Sequence, residues 1–411
     1  MQQINKFTLP NGLRVVHHSD FNTQMVAINL LYNVGAKNED PNHTGFAHLF
    51  EHLMFSGSIH IPNYDTPLQM AGGESNAWTN NDITNYYLTI PKQNVEIGFW
   101  LESDRMLGLD ISEKKLEAQK GVVSEEFKQR CINMPYGDIG HLIRSLAYDK
   151  HPYAWPTIGK DISHIKEAQL EDVNEFFHTF YTPSNAILAV TGNISFEEVR
   201  ELSYKWFGPI PPHFIEKPAL PKEPKQTKQK RLKVRRDVPV DSLFMVYHMC
   251  DRLHPDYYAY DILSDILCNG LSSRLYQSLV LQQEVFTSID AYISGSIENG
   301  LFYITGKPSE GISLHTAEDC VNKEIDKLIK YGITDKELKK VQNKFESTHV
   351  FTNLHYLNLA SNIAYFEMLS QAEDLNEEVK NYRSVTPEQL ERVAKKLFQE
   401  KNSSILHYAK I

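Results

Sequence analysis

The chain has 411 residues, of which 41% are hydrophobic and 23% are charged, and its formal net charge is -10. This length suggests two or more domains, and the composition is that of ordinary globular proteins. The negative charge is spread along the chain, which argues against a nucleic-acid-binding protein because such proteins carry a basic surface.

The cysteines and the N-terminal sequence give an expectation for the cellular compartment. The four cysteines are far apart and form no CxxC pair, which favours structural thiols in a reducing compartment over disulfides or a zinc knuckle. The start of the chain, MQQINKFTLPNGLRVV, lacks the charged and apolar regions of a signal peptide, and no run of about 18 apolar residues occurs. We therefore expect a cytoplasmic protein without membrane contact, with the periplasm as the alternative if a signal peptide has been removed.

The first half of the chain mixes predicted strands and helices. FTLPNGLRVVHHSD predicts two strands around an Asn-Gly turn, and MVAINLLYNVGAKNED predicts a buried strand that ends in a turn. A helix is expected from about Thr44 to Phe55, closed by Gly57. ITNYYLTIP and NAILAVTGN predict two more strands, and helical periodicity marks residues 91–105, residues 112–130 and SFEEVRELSYKWFG.

Residues 209–237 interrupt this alternation. PIPPHFIEKPALPKEPKQTKQKRLKVRRD combines many prolines with a basic run, which predicts a solvated linker in preference to a surface for an acidic peptide. The expected organisation is an N-terminal domain at residues 1–208 and a C-terminal domain at residues 238–411. Within the first domain, the proline, glycine and aromatic content of residues 135–165 predicts a loop packed on helices.

The two halves contain similar sequences. LEDVNEFFHTFYTPSNAILAV, from residue 170, resembles PEQLERVAKKLFQEKNSSILHY, from residue 387. A repeat of this length predicts two copies of one domain rather than a solenoid. Because each half mixes helices with antiparallel strands, we predict the α+β class, with a mainly antiparallel sheet covered by helices in each domain. The residues that align at one constant offset are Glu171 with Glu388, Val173 with Leu390, Phe180 with Leu397 and Asn185 with Asn402.

The pentapeptide HLFEH carries the candidate chemistry. At about 100° per residue, His48 and His52 lie one turn apart on one helix face, so both imidazoles can bind one zinc ion at about 2 Å. Glu51 falls on the same side, where its carboxylate can take a proton from the water that attacks a carbonyl. Two histidines on a core helix are the alternative interpretation. His43 and His60 match no ligand spacing and are interpreted as surface residues.

A third protein ligand is expected, since catalytic zinc usually keeps three and leaves one position for water. LEAQKGVVSEEFKQR predicts an amphipathic helix whose Val122 and Val123 face the core. Glu125 and Glu126 point about 100° apart on this helix, so one can face the metal while the other faces solvent or orients a histidine. Helical geometry alone leaves the choice between them open.

The sequence resembles the inverzincin family of zinc peptidases, whose signature is an inverted H-x-x-E-H. Six segments in both halves carry the resemblance: LPNGLRVV, GFAHLFEHLMFSGS, NAWTNNDITNYY, VVSEEFKQR, FYTPSNAILAVTGN and GLSSRLYQSL. Relatives include pitrilysin, insulin-degrading enzyme and the mitochondrial processing peptidase, and the length resembles that of short, half-size bacterial members. The resemblance implies two homologous α+β domains.

The resemblance also implies the ligands of one zinc ion per chain. His48 and His52 would bind the metal, and Glu51 would act as general base. The V-V-x-x-E pattern of the family selects Glu126 as the third ligand. Many relatives have a supporting glutamate seven residues before this ligand, where this chain has Gln119. The candidate supporting residues around the ligands are Gln119 and Glu125.

GGESNAWTNNDITNYYLTIP resembles the substrate strand of the family. This implies an edge strand in which the segment around Asn76, Ala77 and Trp78 binds an extended peptide through backbone hydrogen bonds. An ordinary sheet strand with a glycine bulge is the alternative interpretation. Backbone recognition reads little side-chain identity, so we expect loose specificity for short or unfolded peptides.

Family chambers commonly also use an arginine and a tyrosine in the C-terminal half, which hold the scissile peptide and its oxyanion. In this chain Val280 and Thr287 stand in those places, and Arg274 and Tyr276 are interpreted as parts of a structural turn. In shorter family members two half-size chains pair, and one brings the metal while the other brings the arginine and tyrosine. We therefore expect a homologous, metal-free partner subunit, or a homodimer.

The leading hypothesis is a zinc metalloendopeptidase that hydrolyses small or unfolded polypeptides, as the catalytic subunit of a two-subunit clamshell. A dedicated precursor-processing peptidase and a non-catalytic scaffold are the alternatives. The scaffold is less favoured because His48, Glu51, His52 and Glu126 are all present.

Overall fold

The structure of the chain, a computed structural model, describes residues 2–214 and 219–411. The polypeptide divides into two compact units, and each contains one β-sheet covered by helices, which confirms the two-domain α+β fold. The first unit comprises Met1–Gln129, Trp155–Pro221 and Val350–Glu377, and the second comprises Arg130–Ala154, Lys222–His349 and Glu378–Ile411.

Strands and helices alternate along the whole chain. The strands are β1 (Asn5–Thr8), β2 (Arg14–Ser19), β3 (Met25–Tyr32), β4 (Glu74–Thr79), β5 (Thr84–Pro91), β6 (Ala186–Gly192), β7 (Lys230–Arg236), β8 (Ser242–His248), β9 (Phe286–Ile293), β10 (Leu301–Pro308) and β11 (Ser403–Lys410). The helices are α1 (Phe46–Leu53), α2 (Asp65–Met70), α3 (Val95–Leu107), α4 (Glu113–Phe127), α5 (Ile139–Ala147), α6 (Ile162–Lys166), α7 (Leu170–Phe180), α8 (Phe196–Trp206), α9 (Tyr257–Cys268), α10 (Leu314–Tyr331), α11 (Asp335–Thr352), α12 (Tyr356–Leu369), α13 (Glu378–Ser384) and α14 (Pro387–Leu397).

In the first unit, six strands form a sheet in the order β1-β2-β6-β3-β5-β4. All neighbouring strands are antiparallel except β2 and β6, which are parallel. Side chains alternate between the two faces of a strand. Accordingly, Val26, Ile28 and Leu30 of β3 face the core to which α1, α3 and α7 contribute, whereas Asn29 faces α12.

The second face of this sheet is covered by α12, which comes from the second half of the sequence. Beneath it, Asn29 and Asn85 exchange amide hydrogen bonds of 2.9 and 2.8 Å, and Ser361 of α12 donates to Asn29 at 2.9 Å. Both asparagines are fully buried. Unpaired, each amide would cost about 1–3 kcal/mol, so the network favours docking of this helix.

The second sheet repeats the order of the first sheet without a counterpart of β1. Its order is β7-β11-β8-β10-β9, and β7 and β11 are parallel in the same way as β2 and β6. The helix α5, which comes from the first half of the sequence, packs against this sheet. Its residue Ile143 shares one apolar cluster with Tyr148, Val246 and Leu406.

The repeat extends to individual hydrogen bonds. Nδ2 of Asn185 donates to the carbonyl of Phe180 at 2.8 Å, and Nδ2 of Asn402 donates to the carbonyl of Leu397 at 2.9 Å. Each asparagine also donates to a carbonyl at the end of the neighbouring strand, which is β3 in the first unit and β8 in the second. The aligned asparagines therefore join a helix end to a strand end in both copies.

The observed units differ from the predicted domains at residues 1–208 and 238–411. Residues 130–154 lie in the second unit and residues 350–377 lie in the first, so the chain exchanges one helical segment in each direction. An amphipathic pattern specifies the buried face of a helix, but it does not specify which sheet the helix covers. The loop expected at residues 135–165 is also wrong in part, because it contains α5 and α6.

The linker predicted at residues 209–237 ends in a strand. In KRLKVRR, Leu232 and Val234 alternate with charged residues, and this period of two produces β7. Residues 215–218 of the predicted linker lie outside the described residues. The basic residues of β7 that pair with carboxylates of the second unit are Lys230 with Asp149, Arg231 with Glu318 and Arg236 with Asp138.

Two expectations from composition can be compared with the structure. The four cysteines form no disulfide with one another. Burial raises the pKa of Cys250 and of Cys268 to about 12, which disfavours the thiolate form of both side chains. In the part of the chain that the structure describes, no helix combines the length and apolar character needed to cross a membrane.

Replacing Asn185 or Asn402 by alanine should lower the free energy of unfolding by about 1–3 kcal/mol, because buried carbonyl groups lose their donor. Urea unfolding followed by circular dichroism measures the change. Asn343→Ala, at an exposed position of α11, is the control and should change this free energy by less than about 0.5 kcal/mol. Equal effects of the buried and exposed substitutions would contradict the assigned role.

Candidate metal centre

The helix α1 begins at a residue with left-handed backbone geometry. Gly45, directly before α1, has φ of 92°, and a Cβ atom there would lie 2.8 Å from Cδ1 of Ile165. Glycine is therefore required at this position. His48, Glu51 and His52 lie together on the face of α1 that is opposite to its apolar residues. The apolar residues that bury the other face are Phe46, Leu49, Phe50 and Leu53.

His48 and His52 lie side by side, one helical turn apart. Their ring centroids are 4.9 Å apart and the ring planes meet at 88°. His48 is buried and His52 is half-buried. Both rings direct Nε2 toward the same carboxylate on α4, which is 74 positions further along the chain than His52.

This carboxylate belongs to Glu126. Its Oε2 atom lies 3.6 Å from Nε2 of His48 and 3.3 Å from Nε2 of His52. Two ligand atoms that each lie about 2 Å from one tetrahedral zinc ion are about 3.3 Å apart, so the donor types and their spacing fit such an ion. Among the described residues, these three form the group whose potential ligand atoms all lie within 4.8 Å of one another.

The other residues of α4 that were singled out in the sequence are not part of this group of three ligands. Glu125, expected as a supporting residue, has a side chain that is 64% exposed and binds a neighbouring lysine at 2.5 Å. Val122, expected in the core with Val123, is also exposed, because adjacent helical residues point about 100° apart. Gln119 donates to Oγ of Ser56 at 3.1 Å, so it joins α4 to the segment that follows α1.

Glu51, in α1, is half-buried. Burial, followed by the negative charge of Glu51, raises the pKa of Tyr87 in β5. The same charge adds to the effect of burial in raising the pKa of Tyr86 and of Tyr181. The charge of Glu51 therefore acts on tyrosines of β5 and on Tyr181, which follows α7.

The strand β4 is one of the two edge strands of the first sheet and lies beside α1. It contains Asn76, Ala77 and Trp78, and Ala77 stands opposite Tyr86 of β5. Trp78 is 38% exposed, and Oδ1 of Asn76 accepts the backbone N–H of Ala77 at 2.8 Å. Within residues 2–214 and 219–411, no strand pairs with the outer side of β4.

The residues of the second unit that align with the arginine and tyrosine of the family, and the nearby Arg274, make contacts within their own unit. Val280 lies in a π-helical turn that Tyr276 begins, and it packs against the core of the second unit. Thr287 is exposed at the start of β9 and donates to a carbonyl of β10 at 3.1 Å. Nε of Arg274 donates to Glu337 of α11 at 2.7 Å.

Sequence analysis missed Glu39, which contacts the start of α1, and Trp155, which contacts Glu39. Glu39 and Trp155 are both buried, and the indole N–H of Trp155 donates to the carboxylate of Glu39 at 3.0 Å. Glu39 is too far from α1 to match a capping motif, and Trp155 belongs to a segment predicted as a loop. The weak signal in the sequence was an acidic residue shortly before a glycine and a helix.

Two family models match the chain. Insulinase (Peptidase family M16) matches residues 14–159, and Peptidase M16 inactive domain matches residues 167–345. Two α+β units with an inverted H-x-x-E-H helix in the first define a half-size inverzincin chain. This chain belongs to peptidase family M16.

Relatives of similar length are named as zinc proteases. The zinc protease PqqE of Helicobacter pylori is 28% identical over 405 residues, which cover 97% of this chain and 90% of the relative. The uncharacterized zinc protease YmxG of Bacillus subtilis is 24% identical over 405 residues, which cover 97% of this chain and 96% of the relative. A crystal structure of a protease from Helicobacter pylori has a TM-score of 0.94 at 27% identity and covers 100% of both chains.

Another relative is named as one subunit of an enzyme, and its alignment covers a smaller part of this chain. The bovine mitochondrial-processing peptidase subunit beta is 25% identical over 351 residues, which cover 82% of this chain and 69% of the relative. These names support a zinc peptidase of family M16.

Glu126→Ala should abolish zinc retention, because only two protein ligands remain, whereas Glu125→Ala should retain about one zinc ion per chain. Elemental analysis after dialysis against metal-free buffer measures the zinc content. The two glutamates are adjacent on one helix, so the pair controls for the loss of a carboxylate from α4. Equal zinc loss in both variants would contradict the selection of Glu126.

Proposed function

We propose that the chain is a zinc metalloendopeptidase. The observation that carries this proposal is the convergence of His48, His52 and Glu126, with Glu51 on the same helix as the histidines. Two imidazoles and one carboxylate form a donor set used by catalytic zinc sites, which keep a fourth position for water or substrate. The relatives that are named zinc proteases support the same function.

The proposed chemistry is hydrolysis of a peptide bond by water. Bound zinc would supply a Lewis acid that polarises the scissile carbonyl and makes the attacking water more acidic. Glu51 would take the proton from this water as general base and then deliver it to the leaving amine as general acid. His48, His52 and Glu126 would keep their donor atoms fixed while Glu51 stays outside the ligand set.

We further propose that the outer side of β4 binds the substrate as an added strand. Backbone groups of β4 would pair with the peptide backbone, which is the recognition mode of β-augmentation. A peptide carbonyl that binds the N–H of Ala77 would replace the amide oxygen of Asn76. Because this mode needs an extended peptide with free backbone groups, the expected substrates are small or unfolded polypeptides.

The proposed enzyme also needs donors for the developing oxyanion. Val280 packs against the core of the second unit and Thr287 hydrogen-bonds a strand, and these two residues stand where the family has its arginine and tyrosine. We propose that a homologous, metal-free subunit supplies that pair, with a homodimer as the alternative. The subunit name of the bovine relative supports an enzyme of paired chains.

The second candidate function is a dedicated precursor-processing peptidase. The likeness to the bovine processing-peptidase subunit favours it. Cleavage mapping on a peptide library separates the two candidates, since a processing peptidase would cut at a restricted set of sites. A non-catalytic scaffold is disfavoured because all four residues of the proposed chemistry are present.

Glu51→Gln should keep zinc but lower kcat/KM for a fluorogenic peptide by about 10²–10⁴-fold, the usual contribution of a general base. Glu125→Gln is the control and should leave kcat/KM unchanged. Peptidase assays on zinc-loaded protein give the comparison. Full cleavage by the Glu51→Gln variant would rule out this residue as the base.

The purified chain alone should cleave peptides weakly, and adding a homologous subunit that carries the arginine and tyrosine should raise kcat by about 10²-fold. Titration of one chain with the other, with kcat as the readout, measures this. A rise in specific activity with concentration of the single chain would indicate the homodimer. Full activity in a monomer, verified by analytical ultracentrifugation, would contradict the proposal.

A further inference from the structure

The short segment between β3 and α1 contains a buried carboxylate that the proposed reaction does not use. Glu39 is 6% exposed and lies outside α1. Its Oε2 atom accepts the backbone N–H of Gly45 at 2.9 Å and the indole N–H of Trp155 at 3.0 Å. Its Oε1 atom accepts the backbone N–H of Ala47 at 2.9 Å. Both oxygens are therefore attached to the first turn of α1.

A carboxylate suits this position for physical reasons. The first turn of a helix has backbone N–H groups without intrahelical partners, and its positive dipole end stabilises a nearby anion. Burial raises the pKa of Glu39 to about 8, and the N–H donors of α1 and Trp155 act in the opposite direction. A glutamine could accept on one atom only and would present its own N–H group to a backbone donor.

The same carboxylate is connected to the turn between β4 and β5. Trp155 is the residue at which the chain re-enters the first unit, and its carbonyl accepts Nδ2 of Asn81 at 3.4 Å. Backbone carbonyl groups of this turn also accept hydrogen bonds from the backbone N–H groups of Ala36 and Lys37, at 3.1 and 2.9 Å. Nζ of Lys37 binds Asp82 at 2.9 Å, and both side chains are buried. Glu39 thus lies where α1, this turn and the re-entering segment meet.

We infer that Glu39 is a positioning residue for the metal centre. Because Gly45 and Ala47 lie three residues and one residue before His48, the hydrogen bonds that they donate to Glu39 fix the helical turn from which the first histidine projects. Because the same carboxylate also binds Trp155, it holds the first helical turn of α1 in a fixed position relative to β4. The link to β4 rests on the proposed function, whereas the effect on metal binding does not depend on cleavage.

Zinc competition against a chromogenic chelator, with the whole chain, tests this inference. Glu39→Gln should weaken zinc binding on the order of 10-fold, as found when groups that orient metal ligands are changed. Trp155→Phe keeps both backbone hydrogen bonds of Glu39 and should produce a smaller decrease in affinity. At saturating zinc, Glu39→Gln should still have a lower kcat, because Glu51 is displaced together with α1.

Glu367→Gln is the matched control. Glu367 is 9% exposed, belongs to α12 in the same unit, and accepts the backbone N–H of Ala372 at 3.0 Å. This substitution should lower the free energy of unfolding without changing zinc affinity, since α12 covers the face of the sheet opposite to α1.

Two results would overturn the inference. These are an unchanged zinc affinity in Glu39→Gln, and an equal loss of affinity in Glu367→Gln, which would indicate a general effect of stability. A wild-type chain that binds zinc but cleaves no peptide, even after a homologous subunit with the arginine and tyrosine is added, would overturn the proposed function alone. In that case the comparison of zinc affinities would still decide the role of Glu39.

Discussion

The ring of Phe50 packs against those of Phe176 and Tyr181, with centroids 5.2 and 5.1 Å away, and this packing sets the orientation of α1. Once the apolar face of α1 is buried, the remaining face has to carry His48 and His52 toward α4. Aromatic side chains bury large areas and prefer defined ring geometries, so the helix has little freedom to rotate about its axis. The metal ligands are therefore arranged by packing before any ion contributes binding energy.

The second unit shows what the same scaffold does without a pair of histidines. The helix α9 is the counterpart of α1 in the second unit. Asp261 and Asp265 stand at the positions that correspond to His48 and His52, because the same sequence offset separates both pairs and also the glycines that follow the two helices. Asp261 accepts the hydroxyl of Tyr382 at 2.6 Å, and Asp265 binds Nζ of Lys344 at 2.8 Å. Internal donors thus satisfy these carboxylates, which agrees with the description of the matching family domain as inactive.

Local patterns allowed much of the fold to be predicted, since period two and period 3.6 mark strands and helices directly. They also placed the two histidines and Glu51 on one helix face. The choice of Glu126 over Glu125 came from the family pattern, because helical geometry fits either residue. The exchange of α5 and α12 was missed because amphipathicity does not identify the sheet that a helix covers. Glu39 and Trp155 belong to no motif and meet only in the folded chain.

Synthesis on the ribosome proceeds from the N-terminus, so α12 reaches the first sheet late. The first unit is incomplete until the nascent chain extends to Glu377, although all six strands of its sheet emerge much earlier. During that interval the Asn29 and Asn85 face of the sheet has no cover, and it is available for wrong contacts. Cotranslational folding can therefore complete neither half independently, and a fragment that stops before α12 should be prone to aggregate.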